Sequence, residues 1–87
     1  MYWCYILYSS EMDRYYIGST SDLQERLRRH QGHHKGFTEI VSDWQLVYKE
    51  PFTSKSESLK RERQIKKWKN KDRIQAMIRK SSQRPDT

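Results

Sequence analysis

Two short stretches of aromatic and apolar residues near the start of the chain predict a β-hairpin. Residues 2–8 (YWCYILY) are uninterrupted aromatic or apolar positions, which is typical of a central strand that is buried on both faces. A polar segment from Ser9 to Arg14 follows, and residues 15–17 (YYI) then resume the extended pattern, with Gly18 predicted to end the second strand. The two strands are expected to pair through a connection of about six residues.

A helix and an irregular loop are predicted after the hairpin. Ser21 with Gln24 three positions later matches a capping box, which predicts a helix start at this point. The helix is expected to run to about His30 and to carry Leu23 and Leu27 on one face. Residues 31–42 contain two glycines and are predicted to be irregular.

The second half of the chain predicts one more strand and two helices. Residues 44–48 (WQLVY) form the strand, which is expected to stop near Pro51. Ser54 and Glu57 make a second capping box, which opens a long helix to about Trp68. Asn70 and Asp72 mark a break, and apolar positions 74, 77 and 78 then predict a short helix.

The resulting order, β-β-α-β-α-α, predicts an α+β fold with a three-stranded, mostly antiparallel sheet flanked by helices. Residues 1–80 are interpreted as one domain, and residues 81–87 as a disordered basic tail. A chain of 87 residues buries only roughly 60% of its unfolded surface. We therefore expect neither a second domain nor a deep cavity for a small-molecule cofactor.

Charge is distributed unevenly along this chain. Residues 1–52 hold six basic and seven acidic side chains, a net charge of −1, whereas residues 53–87 hold twelve basic and four acidic ones, a net charge of +8. A basic segment of this kind is typical of a polyanion-binding face, because neutralised phosphates release counterions. A solvated helix surface is the plain alternative, and an anionic membrane is a weaker one because few large apolar residues accompany the charges.

Cysteine content and hydropathy bear on the compartment. The single cysteine, Cys4, permits no internal disulfide and no multi-cysteine zinc site, which fits a reducing environment. The longest apolar run, residues 2–8, is too short to span a bilayer, and it lacks the basic leader and cleavage site of a signal peptide. We expect a soluble, cytoplasmic protein with no membrane partner.

Glu62 is the clearest departure from a purely structural pattern. At 100° per residue, Leu59, Ile65 and Trp68 define an apolar arc of the long helix that includes Glu62. Burying an ionised carboxylate without a partner costs several kcal/mol, so the residue should be paired, protonated or bound to a metal ion. A salt bridge to a nearby Arg or Lys and a metal site are both compatible with this spacing.

Other polar and aromatic residues are candidates for a site on the first helix and the hairpin. Arg26 and His30 are neighbours at i and i+4, although Arg26 could instead pair with Asp22. His30, His33 and His34 also allow a zinc hypothesis, which lacks a further cysteine or a nearby acidic ligand. Six tyrosines are present, and Tyr5 and Tyr16 on the paired strands could converge on one face or simply pack together.

Taken in order, these stretches resemble the GIY-YIG endonuclease superfamily, and most of all its small stand-alone bacterial members related to the UvrC N-terminal catalytic domain. The likeness is carried by residues 2–8 (YWCYILY), 15–20 (YYIGST), 21–30 (SDLQERLRRH), 36–38 (GFT), 44–50 (WQLVYKE) and 59–68 (LKRERQIKKW). The chain departs from the name-giving first triplet, since it has Trp3 and Cys4 before Tyr5.

The resemblance implies a set of site residues. The catalytic positions that match are Tyr5, Tyr16, Arg26, His30 and Glu62, with Gly18 as a structural residue that lets the backbone pass close to the site. It also implies nucleic-acid binding by basic residues near the site and on the C-terminal helices. These are Arg28, Arg29, Lys60, Arg63, Lys66, Lys67 and Lys69.

The resemblance further implies a metal-dependent DNA endonuclease in repair or recombination. Glu62 would hold Mg²⁺ (or Mn²⁺), Arg26 would stabilise charge on the phosphoryl oxygens, and Tyr5, Tyr16 and His30 would orient and deprotonate the attacking water. The DNA partner is expected to be selected by structure, such as a flap or a branch, and the chain to be a monomer or weak dimer. The alternatives are a non-catalytic DNA- or RNA-binding module of the same fold and a basic protein that packs on RNA.

Overall fold

The predicted order of elements is confirmed in the computed structural model, which describes residues 1–31 and 43–82. The elements are β1 (Tyr2–Ser9), β2 (Arg14–Thr20), α1 (Leu23–Gln31), β3 (Gln45–Phe52), α2 (Lys55–Trp68) and α3 (Lys71–Ser82). The strands form one antiparallel sheet in the order β2-β1-β3. The predicted loop after Gln31, with His33, His34 and residues 36–38, lies outside the described residues.

Strand β1 is buried on both faces, as its unbroken apolar sequence predicts. Cys4 and Ile6 pack against Ile65 of α2 and Ile74 of α3 on one face. On the other face, Tyr5 and Leu7 pack with Trp44 and with the leucines of α1, Leu23 and Leu27. The sheet therefore separates α1 from α2 and α3, and β1 holds the centre of both cores.

Strand β3 is longer than the sequence predicts. It continues through Pro51 to Phe52, and Pro51 lies opposite Trp3. Proline is tolerated because β3 is an edge strand, where a missing N–H removes no ladder bond on the open side. The register shifts between Ile6 and Leu7, so that Val47 is an extra residue, as in a β-bulge. Trp44, predicted to begin this strand, lies just before it and is fully buried.

The helix starts confirm one predicted cap and correct the other. Ser54 caps α2, because its hydroxyl accepts a hydrogen bond from the Glu57 amide at 3.2 Å. The predicted cap of α1 at Ser21 is wrong by one residue: α1 begins at Leu23, and Asp22 Oδ1 accepts from the Glu25 amide at 3.1 Å. An aspartate cap also places negative charge at the positive end of the helix dipole.

The junction between α2 and α3 is shorter than the predicted break. Lys69 adopts the left-handed conformation (φ 46°) that ends α2, and Asn70 Oδ1 accepts from the Arg73 amide at 3.1 Å to begin α3. Asp72 therefore lies inside α3 and not in the break. Helix α3 continues to Ser82, past the expected domain end at residue 80, and the disorder expected for residues 83–87 stays a prediction.

A carboxylate joins the hairpin turn to the start of β3. Asp43 accepts hydrogen bonds from the Ser9 hydroxyl (2.6 Å), the Ser10 hydroxyl (3.1 Å) and the Glu11 amide (2.9 Å). These bonds, that of Ser9 above all, lower the pKa of Asp43 because they favour the charged form. The turn and a residue distant in sequence are thus held together by one ionised group.

This arrangement predicts an acid-dependent loss of stability. A lowered carboxyl pKa stabilises the fold above the ordinary aspartate value of about 3.9, and the effect disappears as pH falls through the lower folded value. We expect the free energy of unfolding of Asp43→Asn to decline less between about pH 5 and pH 2 than that of wild type. Urea denaturation across this range measures both slopes, and parallel slopes would contradict the assignment.

Cys4 is predicted to be inert in the folded protein. The residue is fully buried, and burial raises the pKa of its thiol to about 12. Because the thiolate is the reactive form, a thiol reagent at pH 8 should label Cys4 only when the fold opens. Labelling followed with and without denaturant tests this, and rapid labelling of the native protein would refute it.

The length and hydropathy of the helices can be compared with those of a membrane span. Within residues 1–31 and 43–82, none of them has the length and apolar character that a bilayer span requires.

Candidate active site

The candidate site is built around the Tyr5 ring in the centre of the sheet. Tyr5 is 1% exposed and lies directly opposite Gly18 of β2. A Cβ atom on Gly18 would stand 2.6 Å from Tyr5 Oη and 2.8 Å from Cζ, so only glycine leaves room for the phenol to cross β2. The prediction that Gly18 ends β2 is wrong, because the strand continues to Thr20. The absence of a side chain on Gly18 instead leaves room for the Tyr5 ring.

Tyr16 and His30 complete a group of three rings on the α1 face. Tyr16 lies opposite Leu7, which places it diagonally from Tyr5 on the same face of the hairpin. The Tyr16 and His30 ring centroids are 4.5 Å apart, and those of Tyr5 and Tyr16 are 6.3 Å apart. Tyr5 Oη is 3.0 Å from His30 Nε2, and His30 is 6% exposed. Tyr5 and Tyr16 thus lie on one face of the hairpin, which is one of the two arrangements that the sequence left open.

Arg26 lies one helical turn before His30 on α1. Burial raises the pKa of Tyr5, and the positive charge of Arg26 offsets part of this rise, which places the guanidinium within electrostatic range of the phenol. The alternative ion pair with Asp22 does not form among the described residues, because the Asp22 carboxylate caps α1. The structure thus brings Arg26 towards the group of rings.

Glu62 faces inward from α2, as its position in the apolar arc predicts. Its side chain is 16% exposed, and its charge raises the pKa of both Cys4 and Tyr5. Glu62 Oε2 is 2.6 Å from Lys66 Nζ, one turn further along the helix. The carboxylate therefore lies within electrostatic range of Cys4 and Tyr5, and it has the salt-bridge partner that one of the two hypotheses required.

The protonation state of Tyr5 follows from its surroundings. Burial is the largest cause that raises the pKa of Tyr5 above the usual range, Tyr16 and Glu62 raise it further, and Arg26 offsets part of the effect. The phenol is therefore neutral at physiological pH. It needs an acceptor for its proton before it can act as a base, and His30 Nε2 is at hydrogen-bond distance.

The donor set determines which metal ions would fit. Across the part of the chain that the structure describes, no three His, Cys, Asp or Glu side chains cluster as a metal site. Zinc usually takes three or four protein ligands, so these residues do not fit a zinc site. Magnesium is often held by one or two carboxylates, several waters and the phosphates of the substrate. A single sheltered carboxylate, Glu62, fits that coordination.

The predicted nucleic-acid-binding residues fall on separate surfaces. Arg28 and Arg29 are exposed on α1 and both contact Glu25, at 2.8 and 3.7 Å. On the other side of the sheet, one group lines a surface of α2 and another lines a groove beside β2. The first group is Lys60, Arg63 and Lys67, and the second is Lys66 and Lys69.

The structure also adds a residue that the sequence did not single out for the site. Trp44 is fully buried, and its ring meets Tyr16 edge-on with a centroid distance of 6.3 Å. It closes the ring group from the side of β3. The sequence pattern around Trp44 predicted only a strand residue. Neighbouring residues do not show whether a buried tryptophan packs against Tyr16 or elsewhere in the hydrophobic core.

The α+β fold and the group of rings are compatible with a small nuclease domain, and comparisons with known proteins identify this class. The GIY-YIG catalytic domain family model matches residues 1–75. The chain is 38% identical over 60 residues to a UPF0213 protein of Staphylococcus saprophyticus subsp. saprophyticus. The aligned residues make up 68% of this chain and 73% of the relative. UPF0213 proteins from two strains of Staphylococcus epidermidis are 37% identical over 60 residues, with the same coverage.

No solved structure matches the chain significantly. The chain belongs to the GIY-YIG catalytic domain family, as its sequence motifs predicted. Family membership indicates a nuclease domain with DNA as its substrate. The departures at Trp3 and Cys4 do not remove it from the family.

Proposed function

We propose that this protein is a metal-dependent DNA endonuclease that selects its substrate by structure and acts in DNA repair or recombination. The observation that carries the proposal is the convergence on Tyr5. His30 contacts its hydroxyl at 3.0 Å, and the charges of Arg26 and Glu62 both reach it. A purely structural core has no need of an arginine and a glutamate within electrostatic range of one buried phenol.

The side chains suggest how a phosphodiester would be hydrolysed. Arg26 stabilises the negative charge that develops on the phosphoryl oxygens, since its guanidinium stays charged and can donate two parallel hydrogen bonds. Tyr5 and Tyr16 orient the attacking water. As the water loses its proton to Tyr5 Oη, the phenol passes its own proton to His30 Nε2, which is 3.0 Å away. This relay accommodates the raised pKa of Tyr5.

Glu62 is the residue that would hold the divalent cation. When bound, the cation supplies positive charge that stabilises the leaving oxygen. Lys66 Nζ donates to Oε2 of Glu62 at 2.6 Å, and the charge of the carboxylate acts on Tyr5. The short distance to Lys66 also favours a second candidate function, in which Glu62 has only a structural role and the domain binds DNA without cutting it.

A cleavage assay separates these functions. Labelled flap, branched, single-stranded and duplex DNAs, and an RNA of matching sequence, are incubated with Mg²⁺, with Mn²⁺ and with EDTA. We expect cutting of flap or branched DNA that needs either metal ion and is abolished by EDTA. Tight binding of these DNAs without cutting in either metal would establish the binding module instead, and cutting that persists in EDTA would contradict metal dependence.

A further inference from the structure

A groove lies between the outer edge of β2 and the junction of α2 with α3. We call it the β2 groove, and it is lined by residues 13–15, Ile17, Ile65, Lys66, residues 69–71 and Ile74. Its volume is about 530 Å³, which falls within the roughly 300–1,000 Å³ of pockets that hold small ligands. The catalytic role proposed above uses none of its rim except Lys66, so the groove requires a separate explanation.

The rim of the β2 groove is strongly basic. It carries Arg14, Lys66, Lys69 and Lys71, and the acidic side chain on it is Asp13. Asp13 is paired with Lys71 at 2.7 Å and so cancels one of these charges. Lys66 is likewise paired, with Glu62 at 2.6 Å. The two remaining cations are Arg14 of β2 and Lys69 at the end of α2, and they face one cavity, an arrangement that suits the phosphates of one strand.

The floor of the groove is apolar and partly aromatic. It is formed by Tyr15 and Ile17 of β2 together with Ile65 and Ile74 from the two helices. An apolar floor is of little use to a DNA duplex, which presents phosphates and hides the faces of its bases. Unpaired nucleotides expose those faces, which pack on aromatic and apolar side chains while the phosphates meet the basic rim.

The groove lies on the α2 and α3 face of the sheet, and Lys66 links it to Glu62 of the candidate active site. Glu62 and Lys66 are neighbours at i and i+4 on α2, so they share one face of the helix. Lys66 contacts Glu62 and also lines the groove. Lys69, the residue that ends α2, lines the same groove. A DNA strand that passes Glu62 and follows the outer edge of β2 would therefore enter the groove.

We propose that the β2 groove binds a single-stranded DNA arm that leaves the cleavage site. The proposal rests on the proposed nuclease function and specifies which part of a flap or branched substrate the domain recognises. It assigns arm binding to Arg14 and Lys69, and it gives no such role to Lys60 and Lys67, which line a different surface of α2.

Binding without cleavage tests the groove. Fluorescence anisotropy in EDTA compares a duplex that carries a single-stranded arm with the same duplex lacking the arm. For the double variant Arg14→Gln/Lys69→Gln we expect affinity for the armed duplex to fall about tenfold and its salt slope to decrease by about two, with affinity for the plain duplex little changed. The matched control is Lys60→Gln/Lys67→Gln, which removes the same charge.

Three outcomes would overturn the proposal: equal losses on both DNAs, no loss on the armed DNA, or the same arm-specific loss in the control. Photocrosslinking gives a second measurement on the wild-type protein. DNA with 5-iodouracil in the single-stranded arm should crosslink to Tyr15, and the lack of this crosslink would count against arm binding in the groove. Failure of the nuclease function is distinguishable, since wild type would then prefer the armed DNA and crosslink to it but cut nothing in Mg²⁺ or Mn²⁺.

Discussion

Replacing Glu62 with glutamine is expected to lower DNA cleavage by about 10³-fold or more while the protein still folds and binds DNA. Glutamine keeps the size of the side chain but loses the charge that would hold a divalent cation. Loss of the metal removes several kcal/mol of transition-state stabilisation, and each 1.36 kcal/mol is a factor of ten in rate. Binding should stay the same or tighten, because the protein gains one unit of net positive charge.

Single-turnover cleavage of the preferred DNA in Mg²⁺, with anisotropy for binding, measures this prediction. The matched control is Glu57→Gln on the same helix, since Glu57 is exposed and its side chain has no part in the site. Glutamine is also accepted at this position of a capping box. Nearly wild-type cleavage by Glu62→Gln would refute the metal-binding role and leave Glu62 as a structural partner of Lys66.

Replacing Gly18 with alanine is expected to damage both stability and catalysis. The new Cβ would stand 2.6 Å from Tyr5 Oη, and Tyr5 is 1% exposed, so its ring cannot move aside freely. Overpacking of this kind costs about 1–3 kcal/mol. A displaced phenol also loses its alignment with His30, and misplacement by about 1 Å can cost about 10²-fold in rate.

A double-mutant cycle isolates the clash from other effects of the alanine. Urea denaturation compares wild type, Gly18→Ala, Tyr5→Leu and the double variant, with the neighbouring Ser19→Ala as the control. We expect Gly18→Ala to cost much less in the Tyr5→Leu background, because leucine has no atoms where the phenol lay. Equal costs in both backgrounds would show that Gly18 matters for its backbone and not for the space above it.

Features that depend on nearby residues were predicted well from the sequence. The unbroken apolar run of β1 requires burial on both faces, whatever the neighbours are. The Ser54 cap and the end of α2 near Trp68 follow from residues within one or two turns. The inward position of Glu62 follows from helical periodicity, since 3.6 residues per turn leave it no other face.

Features that depend on residues far apart in the chain could not be predicted in this way. Pro51 stays in β3 only because that strand lies at the edge of the sheet, and this position is set by the pairing of β1 with two partners. The choice of Asp22 over Ser21 as the cap of α1 depends on where β2 ends. Both local patterns were acceptable, and packing decided between them.

The sequence by itself determined the elements, the charge asymmetry and the residue types of the site, because propensity, periodicity and charge are local properties. Only the tertiary structure decided that the Tyr5 ring crosses Gly18 to meet His30, and that Arg14 and Lys69 face one groove. These contacts join residues on different elements. Their distances depend on strand register and helix packing, which no local pattern contains.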